Sequence, residues 1–361
     1  YQRTPQDLVV NTAAEMANQL QMTILPNCTV TQIDTASRYL LCDRQGTEKI
    51  IEFSHLILAC GAEKISLNLP GNNVAAIESV NDLQDYRRFR TWLENKKHIA
   101  ILGAGLVGCE FTNDLVQAGY QVDVIAPEQH PLARFIPAEI GNLLIQSLTK
   151  QGVTWHLGCV ATQIQQTKQG CYVTLSNQTQ LHVDGVLSAI GLKPRIQLAA
   201  TAGITVNRGI IVNRWLQTNF RHIFALGDCA EVDGTVQQYI APLLQCAKAL
   251  AHILVGGKEP VHYPSMPIVI KTPACPLVSA PPPPQVAGHW HIEGEAGNVS
   301  QVRACAVKLL EVAKSSGTAI ILIGHVTKEG SVAAGVRRIE AYAGTAAKQY
   351  LEQLKLQKEE E

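Results

Sequence analysis

Gly103, Gly105 and Gly108 stand at the spacing G-x-G-x-x-G within HIAILGAGLVGCE, residues 98–110. The chemistry of such a turn is the holding of a diphosphate. The first glycine permits a tight turn, the second lets backbone approach a pyrophosphate, and the third lets a helix pack close to a strand. The surroundings fit. Residues 98–102 are an apolar strand, and a helix is expected from Leu106 to Ala118, stopped by Gly119. A second strand follows from Tyr120 to Ile125. The first N–H groups of that helix would face the diphosphate. A glycine-rich turn that binds nothing is the alternative, and the strand and helix on either side favour a dinucleotide. Where an acidic residue often meets the ribose, the second strand ends in Ala126, and Glu128 comes two residues later. The nearest arginine able to receive a 2′-phosphate is Arg134, so NAD is favoured over NADP.

Other segments carry related chemistry. SHLILACGA (54–62) and FRHIFALGDCA (220–230) are buried strands that run into glycine turns. An aspartate such as Asp228, just after the strand-end Gly227, accepts a hydrogen bond from a sugar or ribityl hydroxyl. Gly-Asp is also ordinary turn chemistry. A further strand ends at Ala189-Ile190-Gly191, with Pro194 beyond, which suits backbone passing close to a ligand. The ten cysteines form no C-x-x-C pair or zinc-spaced cluster and are expected to be plain buried thiols. His130 and His156 are read as surface histidines. Lys271 reads equally as a strand-edge lysine or a site residue.

The elements that position these groups need a sizeable chain. There are 361 residues, 46% hydrophobic and 17% charged, enough for two or three packed domains. Thirty basic residues balance 30 acidic ones, so no nucleic acid or anionic membrane is expected as partner. Free thiols, and no visible signal peptide or membrane helix, point to the cytoplasm. A helix over 6–20, a strand pair over about 22–42, a helix near 137–150, a β-meander and a buried strand at 185–190 complete the coarse pattern. The chain starts at Tyr1, inside what reads as an ongoing domain, and is expected to be a fragment.

Taken in order, ACGA, GAGLVGCE, AIGLKPR and TNFRHIFALGD resemble the two-dinucleotide flavoprotein reductases. NRGIIVNRWLQT, IFALGDCAEVDG and MPIVIKTPACPLV make the FAD-dependent rubredoxin–NAD reductases the nearest resemblance, over about residues 1–298. It implies an α/β fold with an NAD domain (96–215) inserted in a partial FAD domain (1–95 and 216–265), whose own opening glycine fingerprint is missing. The start of a truncated C-terminal interface domain would follow at 266–298. The resemblance also implies roles. Gly103, Gly105, Leu106, Val107 and Gly108 would hold the NADH diphosphate, Glu110 the nicotinamide region, and Gly191 would lie against NADH. Ala59, Cys60, Gly61 and Gly227 would line FAD, and Asp228 would bond its ribityl chain. The helix after Pro242 would point at the flavin pyrimidine ring, with Lys271 near the isoalloxazine. The implied reaction is hydride transfer from NADH to FAD, then electron delivery to rubredoxin or a similar small iron carrier. A ferredoxin-type reductase and a catalytically inactive NAD-binding remnant are the alternatives. Arg87, Arg88, Arg90 and Lys271 are candidates to face an acidic carrier.

The end reads differently. Residues 299–331 resemble RadA/Sms ATPases without their phosphate loop, and 331–351 resemble a stretch of alanyl-tRNA synthetases without metal ligands. A helix–strand–helix tail is expected over 299–361, its first helix at 301–316.

Overall fold

The computed structural model describes residues 4–70, 77–264, 266–280, 290–293 and 303–306. After a single 3-10 turn comes helix α1 (Ala13–Leu20), and then β1 (Thr29–Asp34), β2 (Tyr39–Arg44) and β3 (Thr47–Glu52) form an antiparallel meander. β4 (Leu56–Leu58), β5 (Ala62–Lys64), β6 (Ile77–Glu78) and α2 (Leu83–Trp92) lead inward. The inner unit runs β7 (His98–Leu102), α3 (Leu106–Gln117), β8 (Gln121–Ala126), α4 (Ala138–Thr149), β9 (Val153–Leu157), β10 (Ala161–Thr167), β11 (Gly170–Leu175), β12 (Gln180–Val183) and β13 (Gly185–Ser188). The return is β14 (Leu192–Pro194), α5 (Gln197–Thr201), β15 (Ile210–Val212), β16 (Ile223–Ala225), β17 (Ala230–Val232), β18 (Thr235–Val236) and α6 (Ile240–Leu254). Two hairpins close the described chain: β19 (Ile268–Ile270) with β20 (Leu277–Ser279), and β21 (Trp290–Glu293) with β22 (Arg303–Ala306).

The inner unit is built on a five-stranded parallel sheet in the order β6-β13-β7-β8-β9. Its central strands read as unbroken apolar runs because both faces are covered. On one face Ile99, Ile101, Val122 and Val124 pack with Leu115 of α3, Leu144 and Leu148 of α4 and Phe89 of α2. On the other, Ala100, Leu102 and Ile125 meet Ile164, Val173 and Leu175 of the β10–β12 meander. Burying each such valine, leucine, isoleucine or phenylalanine side chain stabilises the fold by about 1.5–3 kcal/mol.

A second core gathers Leu58, Ile210, Ile223, Ala225, Cys229 and Leu250 around the parallel pairs β4–β16 and β15–β17. Ala199, Ile204 and Val212, which the sequence placed with the inserted unit, pack here. The chain therefore rejoins the outer unit just after β14. β4 pairs only with β16. Its other edge carries no strand among the described residues.

Two expectations are corrected. The helix over 6–20 is broken, and α1 starts only at Ala13. Thr12 ends the break with a capping box: its Oγ1 accepts from Glu15 N–H at 3.3 Å, and Glu15 Oε2 accepts from Thr12 N–H at 2.7 Å. Such a box satisfies otherwise unpaired first-turn donors and so sets a helix start. The helix expected from 301 is not found at 303–306, where β22 pairs antiparallel with β21. Pairing with β21 satisfies the backbone N–H and C=O groups of this segment, so a partner strand overrides its local helical pattern. The rest of the tail resemblances, residues 299–302 and 307–361, lies outside the described residues.

Candidate functional site

The glycine turn after β7 is shaped by close packing. Gly103 has φ 106°, and a Cβ there would fall 2.6 Å from the Ala189 carbonyl oxygen. At Gly108 a Cβ would fall 2.0 Å from the Gly103 carbonyl oxygen. Both glycines are required by neighbouring backbone. Gly105 differs, because a Cβ there meets nothing within 4 Å and its φ is −77°. Neither strain nor crowding explains it. Space left open at the start of a helix is what an approaching ligand needs. Gly105 caps α3 without a side-chain hydrogen bond, so the first-turn N–H groups of Leu106 and Val107 receive no capping acceptor. With the helix dipole they make a site for a diphosphate. The turn is anchored where Gly103 N–H donates to Ile125 and Ala189 N–H to Leu102, both at 2.8 Å. These features fit an NAD diphosphate.

Gly191 follows β13 with φ 112° and stays exposed, a Cβ meeting only Ile65 Cδ1 at 3.6 Å. Glu128 is half-buried beyond the end of β8, and its carbonyl accepts from Gly158 N–H at 3.0 Å. Glu110 and Lys271, predicted separately, are brought together: Glu110 Oε1 accepts from the Lys271 backbone N–H at 3.0 Å. Asn113, one turn further along α3, accepts from Ala274 N–H at 3.1 Å. The β19–β20 segment is thus fastened to the helix that forms the cradle. Lys271 itself is exposed.

The second set of predicted residues assembles at the ends of β4 and β16. Ala59, Cys60 and Gly61 leave β4, and Gly227 and Asp228 leave β16. Gly227 has φ 74°, and Leu226 N–H donates to the Leu58 carbonyl at 3.1 Å. Burial pushes the Asp228 carboxyl up from the ordinary range, and it has no hydrogen-bond partner among the described residues. The carboxylate is half-buried and not engaged by a neighbouring side chain, so it is free to accept from a donor on a bound solute. The ribityl hydroxyls of a flavin are such donors. Nearby, α6 starts at Ile240, two residues before the sequence-predicted start, with buried Pro242 inside its first turn. Proline is tolerated there because first-turn N–H groups have no intrahelical acceptor. A cleft of about 980 Å³ borders β4 and is lined by Val30, Ile33, Leu40, Ile57, Ala59 and Cys60. Ala59 and Cys60 line this cleft, while Gly227 and Pro242 border a separate small pocket beside Cys246; the strand-end turns and Asp228 fit the ribityl part of FAD. For the adenosine diphosphate half, the described residues hold no second strand–glycine-turn–helix.

A short ribbon connects the two sites. β5 pairs antiparallel with β14, Lys64 opposite Leu192 and Ala62 opposite Pro194. Gly191 precedes β14 and accepts from Ile65 N–H at 3.2 Å, whereas Gly61, before β5, accepts from Arg195 N–H at 3.0 Å. At about 3.3 Å per residue the two glycines lie roughly 10–15 Å apart along the ribbon.

Sequence reasoning missed one polar cluster. Asp123 on β8 is buried, with His156 Nε2 2.7 Å from Oδ1 and His98 Nε2 hydrogen-bonded to Oδ2. Burial raises the Asp123 carboxyl, but the histidine hydrogen bonds outweigh it and hold it below the ordinary range. An ionised carboxylate only accepts, so each histidine presents Nε2–H. Their register on β7, β8 and β9 was the available signal. His156 is therefore a structural partner and not a surface residue. His130 is half-buried, and a Cβ on Gly141 would fall 2.7 Å from its Nδ1. Arg88, a candidate for carrier contact, pairs with Asp85 at 2.6 Å. Among the described residues no cluster of three or more ligands is placed to hold a metal, and no helix is long and apolar enough to cross a membrane.

Comparison with known proteins gives a consistent picture. The profile of the pyridine nucleotide-disulphide oxidoreductase family matches residues 3–249, and that of the rubredoxin binding C-terminal domain matches 260–306. The second match includes β22, so residues 299–306, read from sequence as the start of an unrelated tail, continue the C-terminal domain. The RadA-like and synthetase-like resemblances gain no support from the comparisons. The rubredoxin-NAD(+) reductase of Alcanivorax borkumensis is 42% identical over 299 residues, covering 82% of this chain and 77% of the relative. That of Acinetobacter baylyi is 41% identical over 295 residues, covering 81% and 75%. Among solved structures, a ferredoxin reductase for the CYP199A2 system of Rhodopseudomonas palustris superposes with TM-score 0.74 at 26% identity, covering 88% of this chain and 76% of the other. An NAD-dependent persulfide reductase from A. fulgidus shares the fold at TM-score 0.75 and 19% identity, covering 88% and 63%.

Proposed function

The chain belongs to the pyridine nucleotide-disulphide oxidoreductase family, and from that premise we propose an NADH-dependent, FAD-dependent reductase that delivers electrons to rubredoxin or a similar small iron carrier. One observation carries the reading. The glycine cradle packs on Ala189, two residues before Gly191 at one end of the β5–β14 ribbon, and the other end begins at Gly61, which leaves β4 beside the β16 strand that Asp228 follows. FAD, when bound, supplies the conversion of a two-electron donation into single-electron delivery. The chain's own part is binding and positioning. Gly103, Gly105, Leu106, Val107 and Gly108 hold the NADH diphosphate, Glu128 meets the ribose and Gly191 leaves room for the nicotinamide. Ala59, Cys60, Gly61 and Gly227 line the flavin, Asp228 accepts from the ribityl chain, and the first turn of α6 at Pro242 supplies positive potential.

Glu110 holds the backbone at Lys271 beside the cradle, so the C-terminal hairpins sit next to the reaction. Lys271 then offers a cation to an acidic carrier. The match of residues 260–306 to a rubredoxin binding domain supports that partner. The described cysteines are all free, which supports a reducing, cytoplasmic setting.

The test begins with purified protein saturated with FAD and then desalted. We expect a retained oxidised-flavin spectrum, bleached anaerobically by NADH and restored by oxidised rubredoxin. Protein that binds NADH yet keeps no flavin would instead be an NAD-binding module.

A further inference from the structure

The described chain crosses between its two cores as β5 and again as β14, and the two crossings pair into the short ribbon. Units joined by so slender a link move against each other unless contacts fix the angle. The two charged residues of β5 are used differently. Glu63 pairs with Lys193 opposite it at 2.9 Å, and at 48% and 60% exposed the pair ties the ribbon only to itself. Pairs of that kind contribute little. Lys64 reaches the inner unit instead: its Nζ donates to Asp85 Oδ1 at 2.9 Å and to the Ser79 carbonyl at 3.4 Å. At the other end of β5, the Ala62 carbonyl accepts from Asn81 Nδ2 at 3.1 Å. Both ends of the strand are therefore gripped by the segment that runs from β6 into α2.

Asp85 holds that grip together. It lies in the first turn of α2 and is 5% exposed. Its Oδ2 accepts from Asn81 N–H at 3.0 Å, and its Oδ1 accepts from Arg88 Nη2 at 2.6 Å as well as from Lys64. Burial raises its carboxyl, but Lys64, Arg88 and Asn81 outweigh burial and hold it below the ordinary range, so it stays ionised near neutrality. One turn along α2, Phe89 is fully buried, its ring centroid 5.3 Å from that of Phe111 on α3, the cradle helix. Contiguous contacts thus run from β5 through Asp85 and α2 to α3.

We propose that Asp85 is a positioning residue: through Lys64 and Asn81 it sets the angle of the β5–β14 ribbon against the NADH-binding unit, and so aligns the cradle with the strand ends at Gly61 and Asp228. The role rests on the reductase reading above. In that reaction NADH gives up a hydride, with its two electrons, to the flavin. A misplacement of about 1 Å at such a step costs on the order of a hundredfold in rate. Asp85 acts through its contacts with the ribbon and takes no part in the chemistry.

The test has two arms. In the first, amide exchange is followed in the full chain without added nucleotides. Lys64→Met and Asp85→Asn should each speed exchange about three- to tenfold at Ile65 and Arg195, the amides that donate to Gly191 and Gly61 across the ribbon, with β7, β8 and β16 unchanged. Lys64 is 33% exposed, and Lys64→Met leaves Asp85 paired with Arg88, so the fold survives that variant. In the second arm, FAD-loaded protein is mixed anaerobically with NADH. The limiting rate of flavin bleaching should fall about tenfold in both variants, while the half-saturating NADH concentration changes by less than about twofold. The double variant should lose no more than either alone, because both remove one contact. Lys64→Arg should recover most of the rate, and Glu63→Gln should change neither readout. Exchange at Ile65 and Arg195 that stays at the wild-type rate in both variants overturns the grip. A loosened ribbon with bleaching at the wild-type rate overturns the positioning role and leaves the reductase reading standing. Wild-type protein that takes up FAD but is not bleached by NADH sinks that reading, and the role with it.

Discussion

At the scale of single residues, the three cradle glycines separate into two physical kinds. Gly103 and Gly108 are demanded by contact with backbone, and Gly105 by nothing in the protein itself. Gly108→Ala forces a Cβ into the Gly103 carbonyl and should destabilise the inner unit by about 1–3 kcal/mol, read as a lower urea midpoint. Gly105→Ala should leave that midpoint unchanged while weakening NADH binding by about tenfold, or about 1.4 kcal/mol, read by fluorescence titration. If both variants lost stability equally, the open space at Gly105 would not be a ligand site. Asp123 supplies a pH prediction. Its folded-state carboxyl is held below the ordinary value by His98 and His156, so its contribution is present above the unfolded pKa of about 3.9 and is lost as pH falls through the folded value. Asp123→Asn should therefore cost about 1–3 kcal/mol near neutrality, a gap that closes in acid. Parallel urea titrations at pH values from neutral to strongly acidic measure it.

At the scale of elements, the join between α3 and the β19–β20 segment is made by two side chains accepting backbone N–H groups, Glu110 to Lys271 and Asn113 to Ala274. Ile270, Cys275 and Leu277 add apolar contact to the inner core. Asn113→Ala removes one of the two polar ties. Amide exchange at 272–279 should then rise as if local opening had become about 1 kcal/mol easier, with β7 to β9 unchanged. Exchange that rose equally throughout the sheet would show that Asn113 supports the inner unit as a whole. The α1 boundary teaches a related lesson. Apolar spacing over 6–20 looked continuous, but the Thr12–Glu15 capping box offers the chain a better start, and local hydrogen bonds won.

At the scale of the whole molecule, two cores share one chain: one wraps both faces of the five-stranded sheet, the other surrounds β4 and β16. The cradle belongs to the first. NADH at a hundredfold excess over its Kd should stabilise that unit by about 2.7 kcal/mol through mass action. The effect should appear as slower amide exchange in β7, β8 and α3, with little change in β16 and α6. Slowing of equal size in both would mean that the cores open together and the units are not separable. Residues 196–212, assigned from sequence to the inserted unit, contribute Ala199, Ile204, Ile210 and Val212 to the second core.

Much was legible before any coordinates. The glycine turn, its flanking strand and helix, the existence of a β-meander, and the strand-end turns at Gly61 and Gly227 all follow from short-range rules; that the meander and not a second layer of helices covers one face of the sheet did not. Chirality, turn geometry and apolar periodicity act over a few residues, so local sequence carries them. What the tertiary structure decided was adjacency between distant segments. Asp123 between two histidines, Glu110 under Lys271 and Asp228 at the end of β16 beside β4 each depend on segments far apart in sequence meeting in one register. Periodicity records which face of a strand is buried. It does not record which strand lies alongside, and at these positions the neighbour sets the chemistry.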